Sequence, residues 1–233
     1  MATITAIRRE QPPASISLAK APVTSSTQTH DAIDFERLVG CDGWRRLAPD
    51  IRRRFSEAPV PSRPIRFEGI MRTIECSRAG RILAHLCRVI GTPFAPYTGT
   101  DVPVSIALVH CAAHAIAWER QYRYPGRRPV NVRSIKRTDA GGGLVECVGF
   151  GLGMRLAIFE ADRALHFLSL RYFCTVCGRR VWLPPLLTPG TAHVVHSDLG
   201  GGRFRFTMSF HHPLLGTLFH QDGIFHREQG DAS

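Results

Sequence analysis

Lysine is nearly absent from this chain. Only Lys20 and Lys136 stand among its thirty basic residues, and arginine carries the rest. Acids are scarce as well, nineteen in 233 residues, which leaves a formal net charge of +11. No uninterrupted apolar run approaches the roughly 18 residues of a membrane-spanning helix, so an integral helical membrane protein is not expected. There is no heptad pattern, no collagen-like period and no internal repeat of about 20–50 residues. A strand–G-x-G-x-x-G–helix unit, a G-x-S-x-G elbow, an H-E-x-x-H helix and a Walker loop are all missing. That removes the sequence signatures of dinucleotide binding, α/β-hydrolase, zincin and P-loop chemistry. No cofactor is expected.

What is present is ordinary globular material. Apolar residues at 44% and charged residues at 21% argue against wholesale disorder, and a chain of this length buries a sizeable core without disulfides or metal. The seven cysteines are odd in number and scattered, several inside apolar runs, as small buried hydrophobes commonly are. The first thirty residues lack the apolar region of a secretory signal, so a reducing cytoplasm is the expected compartment. Residues 1–34 are rich in Ala, Ser, Thr and Pro and read as a disordered tail, with a transit peptide as the alternative. Residues 35–228 read as a single β-rich domain and 229–233 as a disordered C-terminus.

Two short helices are expected near the N-terminus. Pro49 suits the first helical position and Asp50 the positive end of the helix dipole, so a helix near 49–57 places Ile51 and Phe55 on one face. Ser77 caps a second helix whose apolar stripe is Ile82, Leu83, Leu86, Val89 and Ile90, stopped by Gly91 and Pro93. Between them Ile65–Arg72 alternates like a half-buried strand.

From about residue 101 the period changes to two. Strand-like runs cover Val102–Val109, Ile116–Tyr122, Val130–Ile135, Leu144–Phe150, Met154–Phe159 and Ala164–Phe173, with Ala161–Arg163 as a hairpin turn. Phe204, Phe206, Met208 and Phe210 alternate with Arg203, Arg205, Thr207 and Ser209, the clearest one-face-buried strand in the chain. Gly216–Phe225 closes the ordered part. About nine to ten short strands with turns at close intervals predict a mainly β fold, a strongly curved antiparallel sheet or barrel.

Several short motifs, in order, resemble a bacterial family known as domain of unknown function 4166. Trp118-Glu119-Arg120-Gln121-Tyr122 is similar to its W-x-R-x-F/Y strand, and Gly143-Leu144-Val145-Glu146 to its G-x-x-E segment. Leu183-Pro184 and Leu187-Thr188-Pro189 resemble its turns, and Arg203-Phe204-Arg205-Phe206 its late aromatic strand. Pro213-Leu214-Leu215-Gly216 with Asp222-Gly223-Ile224-Phe225 resembles its closing segments, and Leu47–Arg52 its opening one. The resemblance spans roughly 36–226 and brings no established reaction. It implies only that some members sit behind a dehydrogenase-like domain, which makes a separately encoded dehydrogenase-like protein a candidate partner.

Four groups of residues bear on chemistry. Arg120 shares a strand face with Trp118 and Tyr122. If that face lines the interior it is a buried cation needing a carboxylate, and Glu146, inside an apolar run, is the natural partner. Cys174-Thr175-Val176-Cys177-Gly178 carries two thiols at a zinc or dithiol spacing, but the second C-x-x-C of a structural site is missing. His193 and His196, three apart on a strand, point to opposite faces. The preferred reading is therefore no metal, a hairpin tip with incidental thiols, and Cys174 and Cys177 as the zinc alternative. Gly149–Gly153 reads as a turn or β-bulge. The other histidines read as surface or lightly packed residues.

The charge is local. Residues 44–88 hold eleven arginines against four acids, and residues 119–137 seven basic residues against one acid. Arg52, Arg53, Arg54, Arg123, Arg127 and Arg128 form the candidate basic patch, with Tyr122 and Tyr124 interleaved as a base-stacking stripe.

The leading expectation is a domain that binds a small apolar or amphipathic ligand in its interior, with Trp118, Arg120, Tyr122, Glu146, Phe206 and Met208 as pocket residues. The alternatives are an acid–base enzyme using Glu146 with Arg120, and a protein that docks on nucleic acid or an anionic membrane through its arginines.

Overall fold

The alternating runs pair in chain order and close on themselves. A computed structural model describes residues 32–87 and 97–228. Residues 1–31 and 229–233, read from sequence as disordered ends, lie outside the described residues, as does the expected Gly91–Pro93 helix stop.

Ten antiparallel strands form the barrel: β1 (Ile65–Cys76), β2 (Gly99–Ala112), β3 (Ala115–Tyr122), β4 (Val130–Thr138), β5 (Leu144–Cys147), β6 (Leu152–Ala161), β7 (Ala164–Val176), β9 (Thr191–Gly200), β10 (Arg203–His212) and β11 (Gly216–Arg227). The first and last strands pair from Phe67↔Arg227 to Cys76↔Phe219, which closes the ring and removes the free sheet edges. An eleventh strand, β8 (Arg179–Trp182), lies outside the ring and pairs only with the end of β7. β7 therefore changes partner along its length. Leu165 to Leu168 face β9, whereas Phe173 to Val176 face β8.

Two hairpins turn on pairs of residues with positive φ. Asp162 (+50°) and Arg163 (+62°) join β6 to β7, and Cys177 (+49°) and Gly178 (+77°) join β7 to β8. This is the backbone hand that matches strand twist in two-residue turns. The Cys174–Cys177 motif is thus a hairpin tip, with Cys177 exposed and both thiols free. Among the described residues no group of three or more potential ligands is placed to hold a metal. The glycine-rich stretch at 149–151 is the β5–β6 turn, with Phe150 and Gly151 at positive φ.

Inward positions carry the core predicted from alternation. Phe204, Phe206, Met208 and Phe210 of β10 are all buried, as are Ile116, Trp118, Arg120 and Tyr122 of β3.

There are four short helices where two were expected: α1 (Phe35–Val39), α2 (Cys41–Arg46), α3 (Pro49–Ser56) and α4 (Arg78–Cys87). Asp34 accepts from the Arg37 N–H and starts α1. α1 and α2 have five and six residues, too few turns to show an apolar period in sequence. α3 buries Ile51 and Phe55 as the spacing predicts. The Phe55 ring meets Phe35 (5.1 Å), Phe167 (5.9 Å) and His196 (5.2 Å), so α1 and α3 pack onto the barrel's aromatic interior. In α4, Ser77 caps the start by accepting from the Gly80 N–H. Of the expected stripe, Leu83 packs against the core but Ile82 is exposed, and Gly80 and Ala84 are buried; the Leu86 side chain, Val89 and Ile90 lie outside the described residues. Gly80 lies against the Leu218 backbone so closely that a Cβ would run into the carbonyl, and that close approach sets which face turns inward.

Candidate functional site

Register brings a charged cluster into the barrel wall. On β3 and β4, Ile116 faces Lys136 and Trp118 faces Ser134; on β4 and β5, Lys136 faces Glu146. All these side chains alternate inward. Lys136 Nζ stands 3.0 Å from Glu146 Oε1, and Arg120 Nη2 3.9 Å from the same oxygen. Arg120 Nη2 also donates weakly to Ser134 Oγ at 3.4 Å, and Ser134 bonds to the Glu146 carboxylate. The Lys136 ammonium lies over the Trp118 ring, 4.6 Å from its centroid. The pairing of Arg120 with Glu146 expected from sequence is present, with Lys136 as the nearer cation.

Burial alone would raise the Glu146 pKa, but Lys136 and Arg120, with hydrogen bonds from Ser134 and Lys136, outweigh it and hold the carboxyl below its ordinary value. Burial lowers the Lys136 pKa, and Glu146 offsets part of that. The cluster therefore sets one carboxylate, held in its ionised form, against two basic side chains.

These residues line a cavity of about 190 Å³ whose remaining wall is mostly apolar, including Leu83, Met154, Ala192, Val194, Phe206 and Met208. Leu187, 77% exposed, lies where the cavity meets solvent, on the segment that crosses from β8 to β9. Of the six pocket residues expected from sequence, Trp118, Arg120, Glu146, Phe206 and Met208 line this cavity and Tyr122 does not. Tyr122 is in the packed core, where its hydroxyl donates to Gln221 Oε1 at 3.1 Å.

Sequence reasoning missed five polar members of the lining, Ser134, Lys136, Tyr172, Thr188 and His196, of which three stand out. Lys136 falls one residue beyond the strand as read, though its rarity in the chain marks it. Tyr172 reaches the cavity because β7 has a bulge: Arg155 pairs with Arg171 but Leu156 with Ser169, so Leu170 is an extra residue and the inward parity changes. Burial pushes the Tyr172 phenol up, so it stays a neutral hydroxyl. His196 is enclosed by Phe55, Trp118, Phe167, Phe204 and Phe206, with ring centroids 5.2–6.1 Å away. Burial first, then Arg54, Lys136, Arg120 and His166, hold its pKa well below the ordinary value. It is neutral, and Nδ1 has no hydrogen-bond partner. His193, on the other face of β9, stacks on His166 instead.

The candidate basic patch is not one uniform solvated surface. Arg54 lies over the Phe204 ring at 3.6 Å, and burial lowers its pKa to about 9 against the pull of Asp198 and Asp50. Arg53 pairs with Asp50 (3.0 Å) and Arg123 with Glu68 (3.8 Å), while Arg127 covers the Tyr97 ring at 4.3 Å. Arg52 is half-buried and Arg128 exposed. Tyr122 and Tyr124 are both buried, so neither ring is available to stack on a base.

The family model for Domain of unknown function (DUF4166) matches residues 47–225. The chain belongs to this family. The DUF4166 match runs from the residues just before α3 to within two residues of the end of β11 and so takes in every strand of the barrel, while α1 and α2 precede it. Among curated proteins, the chain is similar to the uncharacterized protein YndH of Bacillus subtilis (strain 168), 26% identical over an alignment of 142 residues that covers 58% of this chain and 69% of YndH. Among solved structures, Rv2717c from M. tuberculosis aligns at 10% identity and a TM-score of 0.41, covering 78% of this chain and 99% of that one. A variant of the fluorescent protein UnaG aligns at 7% identity and 0.29, covering 70% and 94%. Both scores are below one half, so these likenesses assign nothing to this DUF4166 barrel.

Proposed function

We propose that the barrel binds a small, mostly apolar or amphipathic ligand in its interior. The observation that carries this reading is the cavity itself: about 190 Å³ of space, walled by aliphatic and aromatic side chains, with a few polar groups converging at one place. That combination of apolar wall and fixed polar anchors is what small-molecule sites use for affinity and orientation. A space of this size suits a short or medium-length chain or a single ring system.

The acid–base alternative is less well served. A general acid working near neutral pH needs a raised carboxyl pKa, and two cations hold that of Glu146 down. Glu146 is better placed to orient Lys136 and Arg120 than to exchange protons with a substrate.

Calorimetric titration with 1-octanol and with octanoate tests the reading. At least one should bind with one-to-one stoichiometry, and Ala192→Phe, which fills the cavity from β9, should abolish that binding while the melting temperature stays within a few degrees. Absence of binding by both compounds, or binding unchanged in Ala192→Phe, overturns it.

A further inference from the structure

The charges around the cavity do not cancel. Among the described residues that line it, Arg120 and Lys136 are two basic side chains against one acidic one, Glu146, and Tyr172 and His196 are neutral. Outside the lining, Asp139 pairs with Arg180 at 3.2 Å and Asp50 with Arg53 at 3.0 Å, while Asp198 acts electrostatically on Arg54. One positive charge is left in a largely apolar enclosure, where an uncompensated ion is costly.

The unmatched charge can be located. Lys136 holds the short contact to Glu146, and Arg120 has only the 3.9 Å approach to that carboxylate and the 3.4 Å bond to Ser134. The Arg120 side chain is 7% exposed, and its Nε has no hydrogen-bond partner. Trp118 Nε1, on the same face of β3, is likewise buried without a partner. Both unused N–H donors, one on a guanidinium, belong to side chains that line the cavity from the same face of β3. A guanidinium fork fits a planar carboxylate better than it fits a hydroxyl or an amine.

Resting on the cavity-binding reading above, we infer that the ligand is an amphipathic monoanion, a carboxylate in chemical class, whose acidic group binds at Arg120 and Trp118 beside Lys136, with its apolar part along Phe206, Met208 and Val194. Such a ligand brings the wall to neutrality and supplies an acceptor to the orphaned donors. A neutral ligand does the second in part and the first not at all, and a cation adds to the excess.

The test compares three compounds of one chain length on the full-length protein by calorimetry: octanoate, 1-octanol and octylamine. Octanoate is expected to bind at least tenfold more tightly than 1-octanol, with no measurable binding of octylamine. Arg120→Met should remove most of the preference for octanoate over 1-octanol. Because that variant changes a buried network, the wild-type comparison decides on its own. Equal affinity for octanoate and 1-octanol, both blocked by Ala192→Phe, overturns the anion inference and leaves the cavity reading standing. Failure of all three to bind overturns the cavity reading itself.

Discussion

Lys136 and Glu146 sit directly opposite one another on β4 and β5, with Nζ 3.0 Å from Oε1, inside the wall of the barrel cavity. Their pairing ties the two strands on the interior face, while Arg120 from β3 adds a second cation at 3.9 Å. Three strands thus contribute one charge each to a single buried cluster.

Removing the carboxylate leaves both cations buried without a counter-charge. Glu146→Gln is therefore expected to cost about 3–5 kcal/mol in urea unfolding, the range for breaking a buried ion pair from one side. Adding Lys136→Met to Glu146→Gln should recover part of that loss, because the excess of buried positive charge returns to that of the parent protein. Losses that simply add in the double variant would show that the two residues are not coupled.

His196 should give the protein an acid-side slope in stability. Its folded pKa is depressed, so below the ordinary histidine pKa of about 6.5 the unfolded chain takes up a proton that the folded one refuses. Stability then falls as pH drops from about 6.5 toward 5, approaching about 1.4 kcal/mol per pH unit from this one group. Replacing the ring with an apolar one, His196→Phe, should flatten that part of the profile and change little at pH 8, where both states are neutral. Denaturant midpoints measured across the range check this, and identical slopes for parent and variant would refute it.

Tyr122 and Gln221 form a buried polar bond across the core, outside the cavity wall. Tyr122→Phe leaves Gln221, already lacking a partner for its amide nitrogen, with no hydrogen bond to its side chain. A loss of about 1–3 kcal/mol in stability is expected, with octanoate and 1-octanol affinities unchanged. A thermal melt and a titration separate the two effects, and weakened binding would place Tyr122 back in the site.

The residues alone determine much of this protein. Period-two alternation in Ile116–Tyr122 and in Phe204–Phe210 assigns the inward faces, since successive strand side chains point to opposite sides. Pro49 and Ser77 mark two of the helix starts, and Asp162-Arg163 one of the hairpins. Isolation within an apolar run marks Glu146 as the partner of Arg120. These are local properties, written in spacing and residue type.

Tertiary structure decided the rest. α1 and α2 are too short to carry a readable period, and Phe35 packs against Phe55 and Phe167 through contacts distant in sequence. The bulge at Leu170 changed which face of β7 looks inward and brought Tyr172 to the cavity. Strand register, which no single segment encodes, set Lys136 opposite Glu146 and kept Tyr122 out of the cavity wall. Lysine scarcity was visible at once, but only barrel closure made Lys136 a buried interior charge.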